Sequence, residues 1–261
     1  MIVNHLHLSL KNQAGSVQHY FHFLLGFMVP LVIRLENDPP PKPSKISIRS
    51  CGPMDRHLIS LKYSQLNIIP PLAHKIGRFN PFITCETLPG FDAVERYDKS
   101  ALSAAAKIIK ARLNVKSRER TGQLPKVVAI NRSVDRFYNT RSSEIKDSGA
   151  QRRSIPNFGE LEKHLSSTCP DYNSLILEEA SLAQQIGHFQ SADVIIAQHG
   201  AALANLIFSK PGAKIIEILP PNHPGEYFSR LAECLGLNYC CYHQKGPHEK
   251  VNPQELAALL P

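Results

Sequence analysis

His199, Gly200, Ala201 and Ala202 are the residues around which chemistry is easiest to build in this sequence. They lie between an apolar run, Val194 to Ala197, and a stretch of good helix formers that opens at Ala201. A continuous rather than alternating apolar run is the pattern of a strand buried on both faces of a parallel sheet. The residues from Ala201 to Phe208 favour a helix that must stop near Ser209, because Pro211 and Gly212 do not continue it. A second apolar strand, Lys214 to Leu219, follows at once. A glycine-containing turn leading from a strand's carboxyl end into a helix leaves backbone N–H groups without partners, and such a turn seats a phosphate. His199 adds a side chain able to donate to a phosphate oxygen or a sugar hydroxyl; without a partner in view, a lone histidine is otherwise a structural group.

Arg132 directly follows another buried strand, residues 126–131. That position, just past the carboxyl end of a parallel strand, is where open sheets bind ligands, and the guanidinium fork suits phosphate oxygens. The alternative is an ordinary surface arginine. Glu217, near the end of the strand after the helix, can bond a ribose or sugar hydroxyl or simply end the strand. Near the amino terminus, His19 and His22 share one helix face with Gly26 and Pro30. Two histidines three apart are a start on a metal site, but no third ligand at suitable spacing follows, and no metal is assigned. The helix is better read as buried, with polar groups turned toward a cleft.

These side chains need a frame, and the chain supplies alternating elements. Residues 2–10 alternate like a half-buried strand, and an apolar helix is expected over 17–35. A proline-rich connector at 37–45 leads to short strands at 45–49 and 66–69, then to an irregular stretch over 70–90. A helix is expected over 99–118, and the break at Gly122, Gln123 and Pro125 marks a domain boundary, giving domains 1–122 and 123–261. In the second, residues 133–151 read as a polar connector, with Asn157 and Glu160 forming a capping pattern for a helix over 158–166. A short strand at 175–177, helices at 181–189 and 228–235, a strand at 237–242 and a last helix from Pro253 complete the pattern.

Composition narrows the class. With 261 residues, 43% of them hydrophobic, the chain can bury one large core or two ordinary ones. A net charge of +8 favours an anionic partner such as a nucleotide, a nucleic acid or an acidic membrane surface. Nucleic acid is disfavoured, because no basic run interleaved with aromatics occurs. The six cysteines show no CxxC spacing and read as buried small hydrophobes in a reducing compartment. No signal peptide is read at the start, and the apolar run at 20–33 is shorter than the roughly 20 residues that span a bilayer. The expectation is a cytoplasmic protein, with peripheral attachment to a membrane open through its basic excess.

Several segments together resemble glycosyltransferase family 61. The stretch QHGAALANLIFSKPGAKIIEI is similar to the family's His-Gly-Ala pattern with its Leu, Asn205, Pro-Gly-Ala and Glu217, and LEEASLAQQIGHFQSADVIIAQ resembles the lead into it. The INR ending at Arg132 resembles an Ile-Ser-Arg signature, and RSIPNFGEL, opening at Arg153, resembles an Arg-Arg-Ile-x-Asn-x-x-Glu-Leu signature. In the first helix, His22 and Pro30 fall where the family has His and Pro, but its intervening acidic position is Gly26 here.

The resemblance implies an α/β chain of the GT-B kind: two Rossmann-like domains, the amino-terminal one abbreviated. It implies an inverting transfer from a nucleotide sugar, UDP-linked, to a hydroxyl of a glycan or protein, as in polysaccharide biosynthesis. Donor contacts are expected from Arg132, Arg153, His199, Gly200, Ala201, Ala202, Asn205 and Glu217. Fixed donors aimed at the departing diphosphate are typically the largest catalytic contribution, and here they do not call for an obligatory divalent cation. The general base belongs on the opposite side of the sugar; His22 is the candidate, its alternative being a buried histidine bonded to backbone. Two other classes stay open: a non-catalytic nucleotide-sugar binding protein with a degenerate acceptor site, and a dinucleotide enzyme, which the lack of any GxGxxG after a strand disfavours.

Overall fold

The computed structural model of the chain describes residues 4–11, 15–39, 44–77, 79–80, 83–115, 126–134, 149–223 and 225–261. Its contacts divide into two units that part after Leu113. The boundary expected at residue 122 lies outside the described residues.

The first unit is built on four parallel strands: β1 (Asn4–Lys11), β2 (Ser44–Arg49), β3 (Leu66–Ile69) and β4 (Thr84–Pro89), in the order β3-β2-β1-β4. Parallel neighbours need crossovers, and helices supply them. The apolar segment after β1 forms one continuous helical rod, Tyr20–Phe23, then Leu24–Met28, then Val29–Asn37. Its middle is wound as a π-helix. Pro30 has no N–H to offer the carbonyl four residues back, Gly26, so the ordinary ladder is broken at that point. The rod is buried almost throughout, from Phe23 to Val32, and packs against the helix Lys99–Arg112. Asp98 caps that second helix by accepting from the Ala101 amide at 2.6 Å.

Two elements of this unit lie in the stretch expected to be irregular: a helix, Pro71–Gly77, and β4 itself. The helix opens on Pro71, which is tolerated at the first helical position because its missing N–H would have no partner there. As the edge strand beside β1, β4 is mostly exposed and carries polar residues, so it lacks the apolar run that marks a buried strand.

The second unit is a five-stranded parallel sheet: β5 (Val127–Asn131), β6 (Tyr172–Ile176), β7 (Val194–Gln198), β8 (Lys214–Leu219) and β9 (Asn238–His243), in the order β6-β5-β7-β8-β9. Alternate strand residues Val127, Ala129, Val194, Ile196, Ile216 and Ile218 form a core with Phe158, Leu161 and Leu165 of the helix Phe158–Thr168. Each such side chain, fully buried, contributes about 1.5–3 kcal/mol. The opposite positions Val128, Ile195 and Ile215 are buried as well, so both faces are covered, as a parallel sheet requires. The helices Leu182–Ser191 and Glu226–Leu235 pack on the segment Ala201–Phe208. That segment is a 3-10 helix, not the α-helix that its composition favours.

Asn157 departs from its expected role. Its side chain does not cap the helix; it pairs in both directions with the backbone of Val251, at 2.8 and 3.0 Å. The cysteines form no disulfide, but only Cys51 and Cys169 are buried, and Cys85 is exposed on β4, contrary to the uniform burial expected. Among the described residues, no helix is long and apolar enough to cross a membrane.

Candidate functional site

In the second sheet the chain steps from β5 out to β6 and then crosses back to β7, so the winding reverses between β5 and β7. Ligands of open α/β sheets bind outside the carboxyl ends of the strands at that reversal. Arg132 follows β5 there, and His199 and Gly200 follow β7.

The three are packed together. The guanidinium of Arg132 donates to the carbonyl of His199 and, at 3.3 Å, to that of Gly149. A Cβ on Gly200 would stand 2.2 Å from Arg132 Nη2, so the arginine can occupy this place only because residue 200 has no side chain. The backbone there is extended, and closeness rather than conformation calls for the glycine. Ala201 and Ala202, partly exposed, begin the 3-10 helix, whose first amides have no acceptor within the helix.

Arg153 stands near Arg132. Its Nη1 donates to Nε2 of His223 at 2.7 Å, and the His223 ring stacks on that of His199, with centroids 4.8 Å apart and planes at 24°. The Nε atoms of both arginines are sealed from solvent and, among the described residues, have no hydrogen-bond partner. Burial, reinforced by Arg153 and Arg152, pushes Arg132 down to about 9 against the opposing pull of Glu178. Arg153 is shifted the same way, chiefly by burial and then by Arg152. Burial, followed by Arg153, His199 and Arg132, lowers His223 and keeps its Nε2 an acceptor. The result is a pair of partly dehydrated cations with unfilled donors, a setting that an anion would relieve.

A second set of bonds fixes His199. Its Nδ1 lies 2.5 Å from Oε1 of Glu217, and the hydroxyl of Tyr239 donates to Oε2 of the same carboxylate at 2.6 Å. Glu217 is 0% exposed, with both oxygens committed inside the protein. A contact between this residue and a ribose or sugar hydroxyl was the expectation; on β8 it faces away from the core residues Ile216 and Ile218 and holds the His199 ring. With Nδ1 turned to Glu217, Nε2 is the nitrogen left for a ligand. Asn205, also expected among the donor contacts, is 0% exposed, and its Nδ2 donates to Gln185 Oε1 and to the Ala202 carbonyl, both at 3.3 Å, so it braces the helix from inside.

The loop that carries Arg153 is itself secured. Gln198, the last residue of β7, donates to the Ser154 carbonyl at 3.0 Å and to Gln244 Oε1 at 2.6 Å, and Ser154 N donates to the Pro247 carbonyl at 2.8 Å. His223, Glu178 and Gln198 were not among the residues expected from the sequence. All three lie at or just past the carboxyl end of a strand, a positional signal that could have nominated them. Tyr239 carried no such signal; paired in register with Ile215, it reaches Glu217 diagonally, two residues along the neighbouring strand.

His22 belongs to the first unit. Its Nδ1 lies 2.8 Å from Oδ2 of Asp92, a residue 0% exposed, whereas the His22 side chain is 17% exposed. Its partner is thus a carboxylate and not the backbone. Gly26, the position at which an acidic residue is missing, faces the same carboxylate: a Cβ there would come within 2.8 Å of Asp92 Cγ. Among the described residues, no group of three or more His, Cys, Asp and Glu side chains is placed to share a metal ion.

Known proteins resemble this chain over parts of its length. Over 68 residues, 26% of this chain and 13% of the other, the sequence is 32% identical to a beta-1,2-xylosyltransferase of Arabidopsis thaliana. Over 82 residues, 31% of this chain and 15% of the other, it is 27% identical to beta-1,2-xylosyltransferase RCN11 of Oryza sativa subsp. japonica. The matched segments thus cover a small part of either relative. The family model for Glycosyltransferase 61 matches residues 20–216, a span that takes in His22, both arginines and the whole turn from His199 to Gly200. The chain belongs to glycosyltransferase family 61.

Proposed function

We propose that this chain transfers a sugar, with inversion, from a UDP-linked donor to a hydroxyl of a glycan or protein acceptor, with the donor diphosphate held by the second unit. The observation that carries the reading is the guanidinium of Arg132 packed against the turn at Gly200, with the cation of Arg153 close enough to add to the lowering of its pKa by burial.

The chemistry is a single displacement. An acceptor oxygen attacks the anomeric carbon and its proton passes to a base, for which His22 is proposed. The bond from that carbon to the β-phosphate oxygen breaks, and its electron pair leaves with the diphosphate. Arg132, Arg153, His199 Nε2 and the amides at Ala201 and Ala202 are donors for the charge that grows on this leaving group, and prepositioned donors of this kind are worth about 10²–10³ in rate each. The same donor set supports a reaction without an obligatory divalent cation. The GT-B arrangement, the UDP moiety, a role in polysaccharide biosynthesis and a cytoplasmic, membrane-peripheral location belong to this proposal, and no nucleic acid enters it. Xylose is the first sugar to try, from the names of the relatives.

The test is thermal unfolding and UDP release with UDP, UDP-xylose, UDP-N-acetylglucosamine and, as control, NAD. Saturation at about a hundred times Kd stabilises by about 2.7 kcal/mol, which raises Tm by several degrees. Stabilisation by UDP with slow UDP release from one sugar nucleotide is the expected result. Stabilisation without release supports the binding-protein alternative, and a response to NAD alone overturns the reading.

A further inference from the structure

We propose that Asp92 is the positioning residue of His22, reaching it from another loop through a gap that two glycines leave open; this rests on the reading of His22 as the base. The carboxylate stands 70 residues along the chain from the histidine it touches, at 2.8 Å from Nδ1. Three features bring it there. Gly26 lies in the π-helical stretch Leu24–Met28, and a side chain on it would meet Asp92 Cγ at 2.8 Å and Oδ2 at 2.9 Å. Gly90 packs its Cα against the same turn: a Cβ would lie 2.8 Å from both Cα and O of Gly26. The Phe91 amide then donates to the Leu25 carbonyl at 2.9 Å, which docks the loop after β4 onto the helix. Single π-helical turns inside helices occur frequently at functional sites, and this one is filled by an acid from outside the helix.

The consequence is a defined tautomer. A buried carboxylate at Nδ1 holds the proton of the neutral ring on Nδ1 and leaves Nε2 as its acceptor nitrogen, as a hydrogen-bonded second partner does for any working imidazole. His22 Nε2 lies on the side of exposed Gly15, 2.4 Å from where a Cβ on that residue would be. Besides Asp92, the titratable group facing the ring is His19, its centroid 6.4 Å away on the same helix.

The experiment is long-range proton–nitrogen NMR of the histidine-labelled full chain, with His22 assigned from His22→Gln. In the unsubstituted protein the neutral ring is expected to carry its proton on Nδ1. Asp92→Asn, whose amide can donate to Nδ1, is expected to move the proton to Nε2 and to cut UDP release from UDP-xylose by about a hundredfold or more while UDP binding stays unchanged. Gly26→Ala guards against misfolding of the first variant, because it keeps both partners and only crowds the carboxylate away; it should move the tautomer in the same direction. The exchange Gly26→Asp with Asp92→Gly places an acid four residues from His22 on the helix itself and should restore Nδ1 protonation. A ring that stays protonated on Nδ1 in both single variants overturns the proposal. A tautomer change combined with full sugar release by His22→Gln retains the role of Asp92 and removes that of His22 as base.

Discussion

Two arginines of the first unit, Arg34 and Arg112, are used differently from two of the second, Arg132 and Arg153. In the first unit, Arg34 grips Glu86 with Nε at 2.8 and 3.0 Å from its two oxygens, and that bond raises its pKa. Arg112 meets Glu36 at 2.6 Å and lies 3.7 Å over the ring of Tyr63. In the second, Arg132 and Arg153 bond to backbone carbonyls and to a neutral histidine, and each retains a buried, unfilled donor. A cation matched by a carboxylate is a staple. A cation held out of water beside another cation costs free energy in the folded protein, and only an arriving anion repays it. Each unit also carries a histidine–carboxylate pair, His22 with Asp92 at 2.8 Å and His199 with Glu217 at 2.5 Å, so the difference drawn here is between these two pairs of arginines.

The contrast can be broken directly. Arg132→Gln is expected to weaken UDP binding by a hundredfold or more in calorimetry, about 3 kcal/mol, with little change in Tm, since relief of a charge held out of water offsets the lost bonds to the His199 and Gly149 carbonyls. Loss of stability with binding intact would place Arg132 among the staples. Next in size is an acid effect in the first unit. His57 is buried beside Arg56 and pushed down to about 3, chiefly by burial. Between about pH 6.5 and 3 the unfolded chain takes up a proton that the folded one refuses, so stability falls with falling pH by about 1.4 kcal/mol per unit. Urea midpoints at pH 7 and 5 should show this slope, and His57→Gln should flatten it. The smallest effect is expected from Arg34→Gln: about 1 kcal/mol of stability by urea unfolding, with UDP affinity unchanged.

How much of this was legible depends on where the information lies in the chain. β3 and β8 have the bounds read from their apolar runs: β8 is a buried parallel strand, and β3, though at an edge, keeps Leu66, Ile68 and Ile69. β4 did not, since an edge strand with residues such as Thr84, Glu86 and Thr87 has no apolar signature. At the site, His199, Gly200 and Arg132 were readable because local order, strand then turn, fixes their place. The inward roles of Glu217 and Asn205 were not readable, since strand parity and helix winding decide which way a side chain points. Asp92 was out of reach altogether: in the sequence, Gly26 looks like the loss of an acid, whereas in space it makes room for one.

The 3-10 winding of Ala201–Phe208 has a mechanical corollary. At about 2.0 Å per residue the octapeptide spans about 16 Å, against about 12 Å for an α-helix, so so few residues can retrace a whole strand before β8 begins. With three residues per turn, one residue inserted ahead of Asn205 would swing it by a third of a revolution and carry it off Gln185, so the first turns of this segment should tolerate neither insertion nor deletion.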